Sequence, residues 1–433
     1  VRRPVSALLS PVLPDHANSA DNSSYSRVAA INLAPANRSL SMKITSIEAV
    51  KIDYPPVDNP TRPRLREVSD LKPDPTPMGK YPAFRQSRET WQPPGSRDVG
   101  CVVTAEDGTW GFGMTDLGRT TAAIIEDWFA PKLVGESVLA TEKIYDLMVR
   151  IASPISAQGA VAYATSAVDL ALWDLKGKLF EKPVYELLGG PTHEPENMPL
   201  YATGNNVGWA KELGFNNFKR ACRFGAQEGT DGLNRNVEDI ARTRELIGPD
   251  SDLMLDCWLS MDSEYAVRLA EQLRPYNVRW LEDCVIADTI DEWERIRERI
   301  PWQGLATGEH WSTIYPFFHA ARLGLVDLLQ PDILWVGGMT PLTKICGIAE
   351  AAGITVIPHG SGGTPYGQHA SYGLTAIPMI ECSGPVMTPE GVPLEEKDRL
   401  PGQQVPKDGV LTPSPEPGFG IELKREWLPP FFG

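Results

Sequence analysis

From Asp256 to Glu381 the chain alternates short apolar runs with longer amphipathic segments. The runs LMLDCW, VRWLED, GLATGEH, VDLLQPD, TVIPHG and IPMIEC carry a polar or ionisable group at or near their ends. These groups are Asp256, Glu282, Glu309, Asp332, His359 and Glu381, spaced 22 to 27 residues apart. One strand, one helix and two loops consume about that length. Between these runs SEYAVRLAEQLRP, DEWERIRERI, IYPFFHAARLG and TPLTKICGIAEAAG, and just before them VEDIARTRELIG, have helical length and apolar spacing. Upstream, PLYATG and NNFKRAC add two more strands, giving eight. Right-handed crossovers between parallel strands make a barrel the economical arrangement. The expected fold class is therefore α/β: a (β/α)8-type barrel, in modified (β/α)7β form, whose functional groups collect at the C-terminal ends of the strands.

The N-terminal part has a different rhythm. Residues 45–55 and 99–113 alternate as strands, with Glu106-Asp107-Gly108 as a hairpin turn. Residues 56–94 are rich in proline and charge and too long for a passive connection, so they read as a lid. Residues 119–150 are helical, and AVAYATSAVDLALWDLKGK forms an alanine-rich helix before KPVYELLGG closes on a glycine pair. The expected organisation is an extension over residues 1–41, an α+β capping domain over 42–160, the barrel over 161–384, and a segment over 385–433 that packs back on the cap. The extension is rich in Ser, Ala, Asn and Pro, and Arg2, Arg3, Arg27 and Arg38 outnumber Asp15 and Asp21. It reads as a transit peptide or as an extension foreign to the fold, with Met42 as the natural start.

Composition narrows the function classes. The apolar fraction of 42% and charged fraction of 22% are those of a globular protein able to build a large core. The net charge of −15, without a Lys/Arg cluster, argues against nucleic acid. No apolar run reaches membrane-spanning length. The six cysteines lack CxxC spacing and sit in apolar runs, as free thiols of a reducing, cytoplasmic compartment would.

Asp256, Glu282 and Glu309 end consecutive strands. Any one of them could cap the following helix or pair with a lysine. Three carboxylates converging on one face repel one another unless a cation lies between them, and an all-oxygen set suits Mg²⁺. Asp332 and His359 end the next two strands, where a carboxylate can fix the imidazole tautomer and raise its basicity. A metal and a base together suit removal of a proton next to a carboxylate, which an imidazole alone cannot achieve. Glu381 can bond a substrate hydroxyl, stabilise the transition state or cap a helix.

These motifs, with VDLALWDLKGK, PVYELLGG, TGEH, LQPD and IPHG, resemble the enolase superfamily in its mandelate racemase-like branch. PMGKYPAFRQSRETW, LDCWLSMD, GEHWST, QPDILWVGGMT, PHGSGG and PGFGIEL make it similar, within that branch, to the L-rhamnonate dehydratases. The resemblance covers residues 42–433. It implies Asp256, Glu282 and Glu309 as Mg²⁺ ligands and His359 with Asp332 as the acid/base. Substrate contacts would come from Arg88, His310 and Lys219. It also implies a homo-oligomer acting on a small sugar acid: L-rhamnonate first, with L-mannonate and L-lyxonate as alternatives. Lys219 matches the first lysine of a K-x-K pair whose second position is Ala221, which favours β-elimination over racemisation or epimerisation. A non-catalytic scaffold fits poorly with so complete a set. The lid lacks the histidine of bacterial members, leaving Arg62, Arg64 or Arg66 as substitutes. Trp258, Trp335 and Phe84 are candidates for the apolar end of the pocket.

Overall fold

Glycine-lined contact between a buried helix and a three-stranded sheet joins the two halves of the molecule. The computed structural model describes residues 42–55, 75–84, 98–194, 198–383, 399–406 and 409–433. Strands β1 (Ile44–Val50), β2 (Val99–Ala105) and β3 (Trp110–Thr115) form an antiparallel sheet in that order. The β2–β3 turn falls at residues 106–108, where Gly108 takes φ 87°. Short helices α1 (Arg119–Ala123) and α2 (Ala130–Leu133) follow, joined by a π-helical turn, and then α3 (Thr141–Ala152), α4 (Ala160–Leu179) and α5 (Val184–Leu187).

Helix α4 is buried along most of its length because the sheet covers one side and the barrel another. It approaches β3 so closely that a Cβ on Gly111 or Gly113 would meet a carbonyl of α4 at 2.0 Å. Its polar residues are matched from the barrel and the C-terminal segment. Ser166 Oγ accepts from Gly337 N, Asp169 Oδ2 accepts from Thr340 N, and Asp174 Oδ1 accepts from Phe419 N. Trp173 Nε1 donates to Thr340 Oγ1. Pairing these groups avoids the cost of leaving buried polar atoms unsatisfied. The chain's end lies along β1, with Lys51 N bonded to Pro429 O and Phe431 N to Ala49 O.

Among the described residues the second sheet has eight parallel strands. They are β4 (Leu200–Thr203), β5 (Phe218–Ala221), β6 (Leu253–Asp256), β7 (Leu281–Glu282), β8 (Leu305–Thr307), β9 (Leu328–Leu329), β10 (Thr355–Val356) and β11 (Ile380–Ser383). The helices between them are α6 (Val207–Glu212), α7 (Gly229–Ile247), α8 (Ser263–Leu273), α9 (Ile290–Arg299), α10 (Tyr315–Leu323), α11 (Met339–Ala352) and α12 (Pro365–Gly373). Sheet order runs from β10 down to β4 and then to β11, so β4 pairs with the last strand. This is the expected (β/α)7β succession. No described helix is long and apolar enough to cross a membrane.

A separate apolar cluster identifies the barrel interior: Tyr201, Met254, Trp280, Ala306, Leu328, Ile357 and Met379, drawn from successive strands or their immediate flanks. Tyr201 and Trp280 meet edge to face at 5.7 Å. Side chains along a strand alternate between faces, so the residue two positions on shares the same side. Two positions beyond Tyr201, Met254, Trp280, Leu328, Ile357 and Met379 stand Thr203, Asp256, Glu282, Gln330, His359 and Glu381. The apolar layer is thus a floor, and the polar groups form the next layer above it.

Candidate active site

The ladder registers put the polar layer together. Ala221 pairs with Asp256 and Asp256 with Glu282 across adjacent parallel strands. Glu309 reaches the layer differently. Past β8 the backbone turns at Gly308, whose φ of 135° favours glycine and whose Cβ would strike Phe317 and Gln330. Glu309 then follows, 3% exposed.

Lys219 is the cation at the centre. Its ammonium is 1% exposed and bonded to Glu282 Oε1 and, at 2.8 Å, to Glu381 Oε1. Glu282 Oε2 also accepts from Trp280 Nε1 at 2.9 Å and Gln330 Nε2 at 2.7 Å. Glu381 accepts from Thr203 Oγ1 and from Gly360 N. Expected as a substrate contact, Lys219 lies sealed among carboxylates. Glu381, expected either to bond substrate or to cap a helix, has its oxygens engaged by Lys219, Thr203 and the Gly360 amide.

His359 and Asp332 stand face to face, with Nδ1 2.7 Å from Asp332 Oδ2. Asp332 Oδ1 accepts from Leu334 N at 2.7 Å, which holds the carboxylate in place. His359 N bonds Pro331 O, tying the two strand ends. The other ring nitrogen, Nε2, is 3.3 Å from Glu309 Oε2. Burial opposes charge on His359, but Glu309, Asp332 and Glu381 outweigh it and lift the imidazole well above its ordinary value.

His310 lies beside Glu309, with Nε2 3.1 Å from its Oε1. Its ring faces Trp335 at 6.0 Å and meets Trp258 edge to face at 6.1 Å. Burial disfavours its charge, yet Glu309 and Asp283 raise it to about 9. Arg88, with Arg62, Arg64 and Arg66, lies outside the described residues. Phe84 is 40% exposed.

Three residues of the site escaped the sequence reading. Asp283, next to Glu282, is buried and accepts from Thr307 Oγ1 at 2.5 Å, while its Oδ2, 3.5 Å from His310 Nε2, has no hydrogen-bond partner among the described residues. Its signal was the second acid of WLED, hidden because strand alternation assigns it to the other face. A φ of 45° at Asp283 departs from that alternation. Gln330 was legible only as part of LQPD. Tyr163, on α4, stacks on Trp335 at 5.6 Å, and burial together with Asp332, Asp116 and Glu309 raises its phenol. A tyrosine in an alanine-rich helix carries no such signal.

The donor groups fit a divalent cation. Burial, together with Asp256, Glu381 and Glu309, pushes Glu282 up to about 7 despite Lys219. Burial and Glu309 do the same for Asp283, to about 7. Burial is the larger cause of each rise, and the neighbouring carboxylates add to it. Among the described residues, Asp283, Glu309 and His310 present ligand atoms within 4.8 Å of one another. Of the expected ligands Asp256, Glu282 and Glu309, that group holds Glu309; the three expected acids would supply oxygen alone, which is the preference of Mg²⁺.

Comparison with known proteins agrees with this architecture. A model of the family described as enolase C-terminal domain-like matches residues 206–427. One described as mandelate racemase / muconate lactonizing enzyme, N-terminal domain, matches residues 96–189. The L-rhamnonate dehydratase of Saccharopolyspora erythraea is 38% identical over 366 residues, covering 81% of this chain and 89% of the relative. The crystal structure of L-rhamnonate dehydratase from Gibberella zeae superposes with a TM-score of 0.78 at 29% identity, covering 90% of this chain and 96% of that one. A structure of rhamnonate dehydratase from Gibberella zeae complexed with Mg gives a TM-score of 0.77 at 28% identity, covering 90% and 96%. With barrel and cap both matched, the chain belongs to the enolase superfamily, in the mandelate racemase / muconate lactonizing enzyme family.

Proposed function

We propose that this chain is a Mg²⁺-dependent hydro-lyase that converts L-rhamnonate to 2-keto-3-deoxy-L-rhamnonate and water. The observation that carries the reading is the His359–Asp332 pair set beside the carboxylates at the strand ends. The names of the relatives supply the substrate. Asp256, Glu282 and Glu309 are the ligands in this reading. When bound, Mg²⁺ supplies the positive charge that lowers the cost of a dianion on the substrate carboxylate.

The chain's own residues do the rest. Asp332 holds Nδ1–H of His359, so Nε2 is the basic end. Nε2 takes the C2 proton, and the electron pair moves into the enediolate. The C3–O bond then breaks, and the imidazolium returns its proton to the departing hydroxyl, giving water. The remaining enol tautomerises to the 2-keto acid. One group serves both steps when the proton and the hydroxyl leave from the same side. Ala221, beside Asp256, offers no second base, which favours elimination over racemisation. The six cysteines are free and buried, which supports a reducing, cytoplasmic setting.

Incubation with Mg²⁺ and a panel of L-rhamnonate, L-mannonate and L-lyxonate tests this reading, with 2-keto-3-deoxy acid as the readout. L-rhamnonate is expected to give the highest kcat/KM. His359→Asn is expected to abolish turnover while Mg²⁺ still binds by calorimetry. Near-normal activity in that variant ends the assignment.

A further inference from the structure

Among the described aromatic side chains of the barrel, Trp335 lies against both histidines of the site. Its ring is 5.3 Å from that of His359 and 6.0 Å from that of His310, and it stacks on Tyr163 at 5.6 Å with 9° between planes. The indole is only half-buried, whereas Trp280 and Trp293 are wholly enclosed. Its position is fixed at three points. Trp335 N donates to Asp332 O at 3.0 Å, inside the turn that carries the dyad carboxylate. Trp335 Nε1 donates to Asp116 Oδ2 at 2.7 Å. Thr115 Oγ1 donates to the neighbouring Leu334 O, also at 2.7 Å. Thr115 ends β3 and Asp116 follows it, so the capping hairpin holds the indole.

The tether runs to the residue that follows β3, so the capping domain and the barrel together set the indole. With Nε1 committed to Asp116, what the indole can offer a ligand is apolar ring surface. A sugar acid whose C2 reaches Nε2 of His359 brings its neighbouring carbons alongside Trp335. Of the described aromatics near the dyad, Trp335 alone contacts both His359 and His310.

We infer that Trp335 is a specificity-determining residue, the apolar wall against which the carbon chain and terminal methyl of the substrate pack, and that Asp116 is the positioning residue that sets that wall from the capping domain. The inference rests on the reading of the enzyme as an aldonate dehydratase. An apolar wall favours a methyl end over a hydroxymethyl end, and discrimination at that one position falls within roughly 10- to 200-fold.

The test compares kcat and KM for L-rhamnonate and its hydroxymethyl counterpart L-mannonate in wild type, Trp335→Ala, Trp335→Phe, Asp116→Leu and Asp116→Asn, with thermal melts of each. Trp335→Ala is expected to collapse the preference for the methyl acid about tenfold or more, chiefly through its KM. Trp335→Phe, which keeps an aromatic ring, should retain most of the preference. Asp116→Leu should lose part of it, and Asp116→Asn, which keeps an acceptor, should restore it. An unchanged ratio in Trp335→Ala, with both acids impaired alike, overturns the inference and leaves Trp335 a packing residue. A wild type that prefers a different aldonate overturns the rhamnonate reading alone, and the wall is then judged on that acid and its terminal-deoxy or hydroxy analogue. A wild type inactive on every aldonate overturns both.

Discussion

His359 Nδ1 and Asp332 Oδ2 lie 2.7 Å apart although 27 residues separate them in the chain. The contact follows from β9 and β10 being neighbours in the sheet, so that both groups emerge at the same end. It fixes the imidazole with Nε2 directed toward Glu309. Replacing Asp332 by Asn keeps the size and an acceptor but removes the charge that orients and strengthens the base. In the proposed mechanism kcat is expected to fall by about 10²- to 10⁴-fold, the range for a positioned acid/base. Mg²⁺ affinity by calorimetry should change little. A loss of Mg²⁺ binding equal to the loss of rate would assign Asp332 to the metal instead.

Lys219 bridges Glu282 and Glu381 with all three side chains buried. Removing one partner of a buried ion pair leaves an uncompensated charge and costs roughly 3–5 kcal/mol. Lys219→Met is therefore expected to lower stability by about that amount in chelator. Denaturant titrations with and without Mg²⁺ read this directly, and added Mg²⁺ should recover part of the loss.

The approach of α4 to β3 depends on Gly111 and Gly113. Gly113→Ala places a methyl 2.0 Å from Ala167 O, which only backbone movement relieves. Overpacking of this kind costs about 1–3 kcal/mol or more. Gly347 in α11 is exposed, with nothing within 4 Å of an added Cβ. Gly347→Ala should stabilise by about 0.5–1 kcal/mol. Urea unfolding midpoints of the two variants should move in opposite directions.

His369 is buried, with Nδ1 accepting from Tyr185 N at 3.4 Å and Nε2, between aromatic rings, without a partner among the described residues. Burial lowers it from 6.5 to about 3. The folded state thus excludes a proton that the unfolded chain binds below pH 6.5. Its contribution to stability is present above that value and declines as pH falls toward 3, by about 1.4 kcal/mol per pH unit. His369→Leu is expected to flatten the acid limb of the stability–pH curve by about one proton between pH 4 and 6. An unaltered slope would show that the imidazole gains its proton without unfolding.

The sequence alone determined the alternation of strands and helices, the (β/α)7β order and the identity of the groups at the strand ends. Those features are local: alternation with period two and helical spacing are set by the geometry of each segment. Part of the polar layer follows the same rule, since Thr203, Asp256, Glu282 and Glu381 each stand two residues beyond an apolar one. Tertiary structure alone decided the rest. Lys219 was expected to contact substrate, but the fold brings Glu282 and Glu381, from β7 and β11, onto its ammonium. Asp283 joins the site only because the chain leaves the strand conformation at that residue. Helix α4 begins where the barrel was expected to begin, yet glycines on β3 draw it against the antiparallel sheet. Trp335 acquires its place from Asp116, which lies 219 residues earlier. Periodicity along a segment reports which side of it faces inward. It carries no information on what stands across from that side, since the facing groups come from segments brought together only when the chain folds.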